Sequence, residues 1–182
     1  MENIDSLRNR IQKIRECLDK LNGDGFSIEY KPVVDFKDKL NYPIDFQIFM
    51  EQIGEFNSAC FDALIFEIRI PQPLLEHDIS VSPWREVKKD DKIRLDYPIN
   101  GISDEKDIRI FGADVDSQCF GFDTSTSSYK FIFWDSYMDW SEEYEWVKKY
   151  LNNPHKFLEW FVFQVNNELN DNPYVKKKVR LK

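Results

Sequence analysis

The groups in this chain that could do chemistry are few and scattered. His77 and His155 are its only histidines, and they lie on opposite sides of a strand-rich stretch over residues 108–135. His155 falls in the first turn of the last predicted helix, where a surface role is the simpler reading. Cys119 sits inside a predicted strand, where a thiol usually acts as a small core residue; spacing alone leaves a Cys–His nucleophile pair open. No GxSxG, HExxH, GxxxxGK[ST] or GxGxxG occurs, so the common hydrolytic, zinc-protease and nucleotide signals fail. Asp114, Asp116 and Asp123 could meet at a hairpin mouth around a hard cation such as Mg²⁺ or Ca²⁺. Their spacing is not an EF-hand loop, and turn carboxylates commonly serve local hydrogen bonds instead. No metal or cofactor is expected.

The densest functional signal is a mixture of acids and rings. Asp135, Asp139, Glu142, Glu143 and Glu145 interleave with Trp134, Tyr137, Trp140, Tyr144 and Trp146. Carboxylates pair the cations of a basic partner, while aromatic rings add desolvated contact and cation–π attraction. The plainer alternative makes the aromatics core and the acids a solvated face. The candidate partner-binding residues are Asp114, Asp116, Asp135, Tyr137, Asp139, Trp140, Glu142 and Glu143.

The elements that must position these groups follow from periodicity. IRIFGADVDSQCFGFDTSTSSYKFIFWD, from Ile108 to Asp135, reads as three short strands of an antiparallel meander, broken at Asp114–Ser117 and at Thr124–Ser128. Upstream, Ile4, Leu7, Ile11, Ile14, Leu18 and Leu21 form one helical stripe, ended by Asn22-Gly23-Asp24-Gly25. The stripe suits a helix lying on its own domain, with a short dimerisation helix as the alternative. Tyr42-Pro43 introduces a second helix, in which Phe46, Phe49, Met50 and Ile53 share a face and Gly54 ends it. Ala63 to Ile70 reads as a strand stopped by Pro71 and Pro73. Lys92 to Tyr97 is a further strand candidate, and Trp140, Tyr144, Val147 and Leu151 a further helical face. Asn153-Pro154 opens a buried terminal helix through about Leu169, ended by Asn170-Asp171-Asn172-Pro173.

Composition bounds the rest. A chain of 182 residues with 15% aromatics can bury about 70% of its unfolded surface in one domain. No apolar run approaches a membrane span, and the N-terminus lacks a signal-peptide core. Cys17, Cys60 and Cys119 form no CxxC pair, which suits reduced thiols and a cytoplasmic protein. The net charge is −8, yet the last nine residues, YVKKKVRLK, carry five positive charges and no negative one, leaving −13 on the rest. Such a body repels nucleic-acid phosphates and attracts basic partners, although acidity can also serve solubility alone. The tail could touch nucleic acid or an anionic membrane, or simply fray in solvent. Neither nucleic acid nor membrane is the expected partner, and a monomer or weak dimer is expected.

The order of pieces resembles the SUKH superfamily, named after yeast cell-wall assembly regulators and abundant among bacterial toxin-immunity proteins. The likeness rests on Tyr42-Pro43-Ile44-Asp45-Phe46 with Phe49, Met50 and Gly54, similar to the family's proline-acidic-aromatic helix start. IFGADVDSQCFGFDT follows, similar to a strand, turn and strand ending at Phe122-Asp123. FIFWD and the terminal PHKFLEWFV complete it, so the match spans roughly residues 40 to 165. Here Asp114 to Gln118 replaces a glycine-rich turn, and Asn153-Pro154 replaces a serine before the terminal helix.

The resemblance implies an α+β domain, a mostly antiparallel sheet flanked by N- and C-terminal helices. It implies a core over 40–170 within a single domain of 1–182, an N-terminal helical extension over 1–25 and a basic tail over 171–182. It further implies a non-catalytic cytoplasmic immunity protein that covers a cognate toxin, often a basic nuclease, with no catalytic residue to carry over. A regulatory scaffold domain is the alternative, and a hydrolase built on Asp114, Asp116 and Asp123 a third.

Overall fold

The computed structural model describes residues 3–21, 26–61, 63–73, 107–114, 118–135, 157–166 and 180–181 (backbone only at 63–64, 108, 113–114, 118–119 and 132–135). It is α+β. A six-stranded antiparallel meander runs in strict sequence order, through β1 (Phe26–Lys31), β2 (Glu55–Cys60), β3 (Ala63–Pro73), β4 (Ile108–Asp114), β5 (Gln118–Asp123) and β6 (Lys130–Asp135). The helices are α1 (Ile4–Leu18), α2 (Ile44–Gln52) and α3 (Phe157–Gln164), with a short 3₁₀ turn at Lys39–Asn41. Among the described residues no helix is long and apolar enough to cross a membrane. The expected strand at Lys92 to Tyr97, the helix at Trp140 to Leu151, the helix-ending segments at 22–25 and 170–173, and the helix start at 153–154 lie outside the described residues.

The predicted helices form for the expected reasons. Asn3 caps α1 by accepting from the Asp5 N–H at 3.1 Å, as a short polar side chain does at a helix start. Leu7, Ile11, Ile14, Leu18 and Leu21 are buried in the same core as the sheet, so the stripe packs on its own domain. In α2, Phe46, Phe49, Met50 and Ile53 are all fully buried. Pro43 stands one residue before the helix, as its N-cap. Gly54 ends it at φ +83° with its N–H donating to the Phe49 carbonyl, a left-handed termination that glycine adopts without penalty.

Two backbone devices let the sheet carry phenylalanine. Ile68 pairs with Gly112 while Gln72 pairs with Ile110, so β3 carries extra residues against β4. Pro71 falls inside that bulge, where no ladder bond calls on its missing N–H. The strand therefore passes through both prolines to Pro73 and does not stop at Ile70 as expected. Across the same strand, Ile110 pairs with Gly121 but Gly112 with Phe120; Phe111 is the extra residue, and both it and Ile110 are buried. Where β2 and β3 slip register, the buried Ser58 hydroxyl donates to the Phe66 carbonyl and accepts from its N–H, replacing ladder bonds the slip removes.

The core is largely aromatic. Phe46, Phe49, Phe56, Phe66, Phe111, Phe120, Phe122, Phe131, Phe157, Phe161 and Trp160 are fully buried. Phe46 meets Phe122 at 4.8 Å and Phe157 at 4.9 Å, and Trp160 meets Phe120 at 4.2 Å, ring centroid to centroid. Most of these pairs are edge-on or tilted, the geometry the ring quadrupole favours. Leu181 also joins this core. Leu181 is buried, its N–H donating to Asn166 Oδ1 and its carbonyl accepting from Asn166 Nδ2, so at Leu181 the tail is not a frayed end.

One buried carboxylate joins the helices. Asp45, 4% exposed, accepts from the Phe46 N–H at 2.9 Å and from the Leu158 N–H at 3.0 Å. The two donors belong to the first turns of α2 and α3, which leave N–H groups unpaired and favour negative charge. Asp45→Ala is expected to cost about 3 kcal/mol, through stranded buried donors, and Asp45→Asn less, since one acceptor remains; urea unfolding measures both. A Cβ on Gly54 would lie 1.9 Å from the Lys31 carbonyl oxygen. Gly54→Ala should therefore lower stability by at least about 2 kcal/mol, and an unchanged urea midpoint would refute that packing.

Candidate functional site

Register decides which predicted site residues come together. Gln118, the first residue of β5, pairs with Asp135, the last of β6. Ala113 of β4 pairs with Cys119, which sets Asp114 beside Gln118 on the other flank. Asp114 and Asp135 thus stand at one end of the sheet, with β5 between them and about 10 Å separating their strands. Their side-chain directions are outside the described residues, as are Asp116, Tyr137, Asp139, Trp140, Glu142 and Glu143 altogether. His77 and His155 are also outside them.

Asp123 goes elsewhere. It pairs with Ile108, at the opposite end of β4 from Asp114, some 17–20 Å away at the rise of an extended strand. The expected meeting of Asp114, Asp116 and Asp123 at one hairpin mouth therefore does not occur. Asp123 is buried, and its Oδ1 accepts from the Ser125 N–H at 2.9 Å, an Asx turn that starts the β5–β6 connection. Thr124 binds the same connection down by donating from both its N–H and its hydroxyl to the Asp107 carbonyl. Among the described residues no group of three or more His, Cys, Asp or Glu side chains is placed to hold a metal ion. Cys17 and Cys60 are half-buried.

The sheet face turned away from the aromatic core carries a polar hollow that the sequence reading missed. Glu29, Lys31, Glu55, Asn57, Glu67 and Arg69 line a cavity of about 390 Å³ across β1, β2 and β3. Glu29 pairs with Asn57 and Asn57 with Glu67, giving one acidic row, while Lys31 pairs with Glu55 in the next. Arg69 donates from both Nε and Nη2 to Glu67 Oε2, at 3.0 and 2.6 Å, so the buried Glu67 is neutralised locally. The hollow can hold an ammonium or guanidinium group by ion pairing and hydrogen bonding. Its signal was present in the chain as polar residues at alternate positions of FSIEYK and FEIRI and at Glu55 and Asn57 of EFNSAC.

A second recess, about 720 Å³, lies beside the 3₁₀ turn and is lined by Val34, Asp35, Phe36, Asp38, Lys39, Leu40, Asn41, Gln47 and Glu51. At its floor Glu51 bridges Arg8 Nη1 at 2.8 Å and Lys39 Nζ at 3.0 Å. Burial pushes the Glu51 carboxyl up, but hydrogen bonds and charge from Lys39 and Arg8 outweigh it and hold it below the usual carboxylate range. Nearby, burial chiefly pushes the Tyr42 phenol upward, so it stays protonated.

Comparison of the chain with family models, curated proteins and solved structures returns no match.

The Glu51 network sets a pH dependence of stability. Its folded pKa lies below the unfolded value, so its contribution is complete above that value, 4.5, and is lost as pH falls through the folded pKa. Glu51→Gln is expected to be less stable than the parent at pH 7, by at most about 1 kcal/mol for a partly exposed network. That gap should be smaller at pH 3 than at pH 7. Urea midpoints of both proteins at the two pH values check it, and a gap undiminished at pH 3 contradicts the assignment.

Proposed function

We propose that this chain is a non-catalytic, acidic binding protein, and specifically an immunity protein of the SUKH type that neutralises a basic toxin domain. The observation that carries the reading is the acidic end of the sheet, where Asp114 and Asp135 flank β5. Residues 136–143 follow directly on Asp135 and add Tyr137, Asp139, Trp140, Glu142 and Glu143 to it in sequence. The chain carries a net charge of −8, which steers a cationic partner toward it and raises the association rate at low salt. An antiparallel meander closed by N- and C-terminal helices is also the fold the resemblance implied.

The mechanism is occlusion. Toxins that cleave nucleic acids present cations around their active sites in order to bind phosphates. An acidic rim on a hydrogen-bonded sheet competes for those cations without reorganising, so little of the binding free energy is lost to ordering. No bond is made or broken in this scheme; the rings that neighbour the carboxylates in sequence would contribute the desolvated contact that slows dissociation.

Co-expression with a toxin domain encoded directly upstream should restore growth. The triple reversal Asp139→Lys, Glu142→Lys and Glu143→Lys is expected to abolish the rescue and to slow association about tenfold or more at low salt. The difference should narrow as salt screens it. Unchanged rescue and an unchanged salt slope would show that Asp139, Glu142 and Glu143 are not part of the contact surface.

A further inference from the structure

The loop over residues 33–41 shows two aliphatic side chains to water at unusual extent: Leu40 is 86% and Val34 71% exposed. Single exposed aliphatics are ordinary on any protein. Here both line the same 720 Å³ groove, with the half-buried Phe36 between them in sequence. The loop that carries them is also firmly held. Val33 donates its N–H to the Met50 carbonyl at 2.7 Å, and the Tyr129 N–H donates to the Asn41 carbonyl at 3.0 Å. Phe36 is wedged against Tyr42 and Phe46, at 5.5 and 6.1 Å between ring centroids. The Lys39 ammonium donates to the Val34 carbonyl and bridges Glu51. Asp38 takes a left-handed φ of +58° at the start of the 3₁₀ turn, a conformation that Asp tolerates better than most residues. A loop this well fixed, presenting aliphatics outward, has already met the ordering cost of binding.

Charge identifies the occupant. Among the groups lining the groove, Lys39 and Glu51 are spent on each other, with Arg8 also on Glu51. Asp35 and Asp38 remain exposed at the groove, while Lys37, between them in sequence, does not line it. Two carboxylates beside aliphatic surface complement a segment that alternates cationic and aliphatic side chains. We infer that this groove docks a basic, amphipathic segment of a partner protein. Aliphatic groups of that segment seat on Val34 and Leu40, and its Lys or Arg pairs with Asp35 and Asp38. The inference rests on the reading of the chain as a binder of basic proteins, and adds a contact surface remote from the Asp114–Asp135 end.

Fluorescence anisotropy with a labelled hexapeptide of alternating leucine and arginine tests it, with an alternating leucine–glutamate peptide as control. The arginine peptide should bind and the glutamate peptide should not. The double variants Val34→Ser/Leu40→Ser and Asp35→Lys/Asp38→Lys, all at exposed positions and checked for folding by circular dichroism, should each weaken binding about tenfold or more. Binding that survives both double variants but is lost on reversing Asp139, Glu142 and Glu143 overturns the groove and leaves the basic-partner reading standing. Equal binding of the two peptides, or none by either, overturns both. A concentration-dependent dimer in sedimentation that Leu40→Ser abolishes makes the occupant a second copy of this chain, and the foreign segment is then refuted.

Discussion

The Asp45 carboxylate, shared between the first turns of α2 and α3, is the contact on which the rest of the architecture depends. A carboxyl group 4% exposed is tolerable where backbone N–H groups replace its water, and both of these donors sit where helix dipoles favour an anion. The contact spans 113 residues of sequence and fixes how the terminal helix approaches the second. From that approach follow Phe49 against Phe161 at 4.7 Å and Phe46 against Phe157 at 4.9 Å. Hydrophobic burial supplies most of the free energy of this core, but it is non-directional. The carboxylate supplies the direction.

The sheet accommodates so many rings by yielding locally. An unbroken ladder alternates faces strictly, which would turn either Ile110 or Phe111 to the outside. The bulge places both inside. At Gly112 the backbones of β3 and β4 come so close that a Cβ would stand 2.2 Å from the Glu67 carbonyl oxygen, so the same distortion demands a glycine. Glu67 and Arg69 stand on either side of Ile68, where the β3–β4 register begins to shift, and both line the polar hollow over β1–β3.

Much of this was legible in the chain, and the exceptions have physical causes. Strong period-3.6 patterns, such as Leu7-Ile11-Ile14-Leu18 and Phe46-Phe49-Met50-Ile53, fold as they read because each stripe meets a buried surface. The meander over 108–135 read correctly because aromatic strands and polar turns alternate within a few residues. By contrast β1 and β2 were missed: EFNSAC holds Asn, Ser and Ala, weak strand formers that only a paired neighbour stabilises. Pro71 misled because the usual bar on proline assumes a regular ladder. Asp123 misled because proximity to a turn does not say which end of a hairpin the turn closes. Asp45 was noted only as part of a helix-start motif, since a bond across 113 residues leaves no local trace.

The two candidate contact surfaces stand at opposite ends of one strand. Tyr129, immediately before β6, donates to Asn41 at the base of the 33–41 loop, whereas Asp135 closes β6 at the other end. At about 3.3 Å per residue the two ends lie some 17–20 Å apart. A standard interface of roughly 800 Å² per partner is about 30 Å across, so one partner can span both. The spacing between the surfaces is then set by a hydrogen-bonded ladder, among the least compliant elements a protein has. A flexible acidic protein could neutralise any basic surface, whereas on the proposed reading a sheet of fixed length would favour partners whose cations match its separation. Specificity would thus come from the backbone of β6 as much as from the carboxylates at either end.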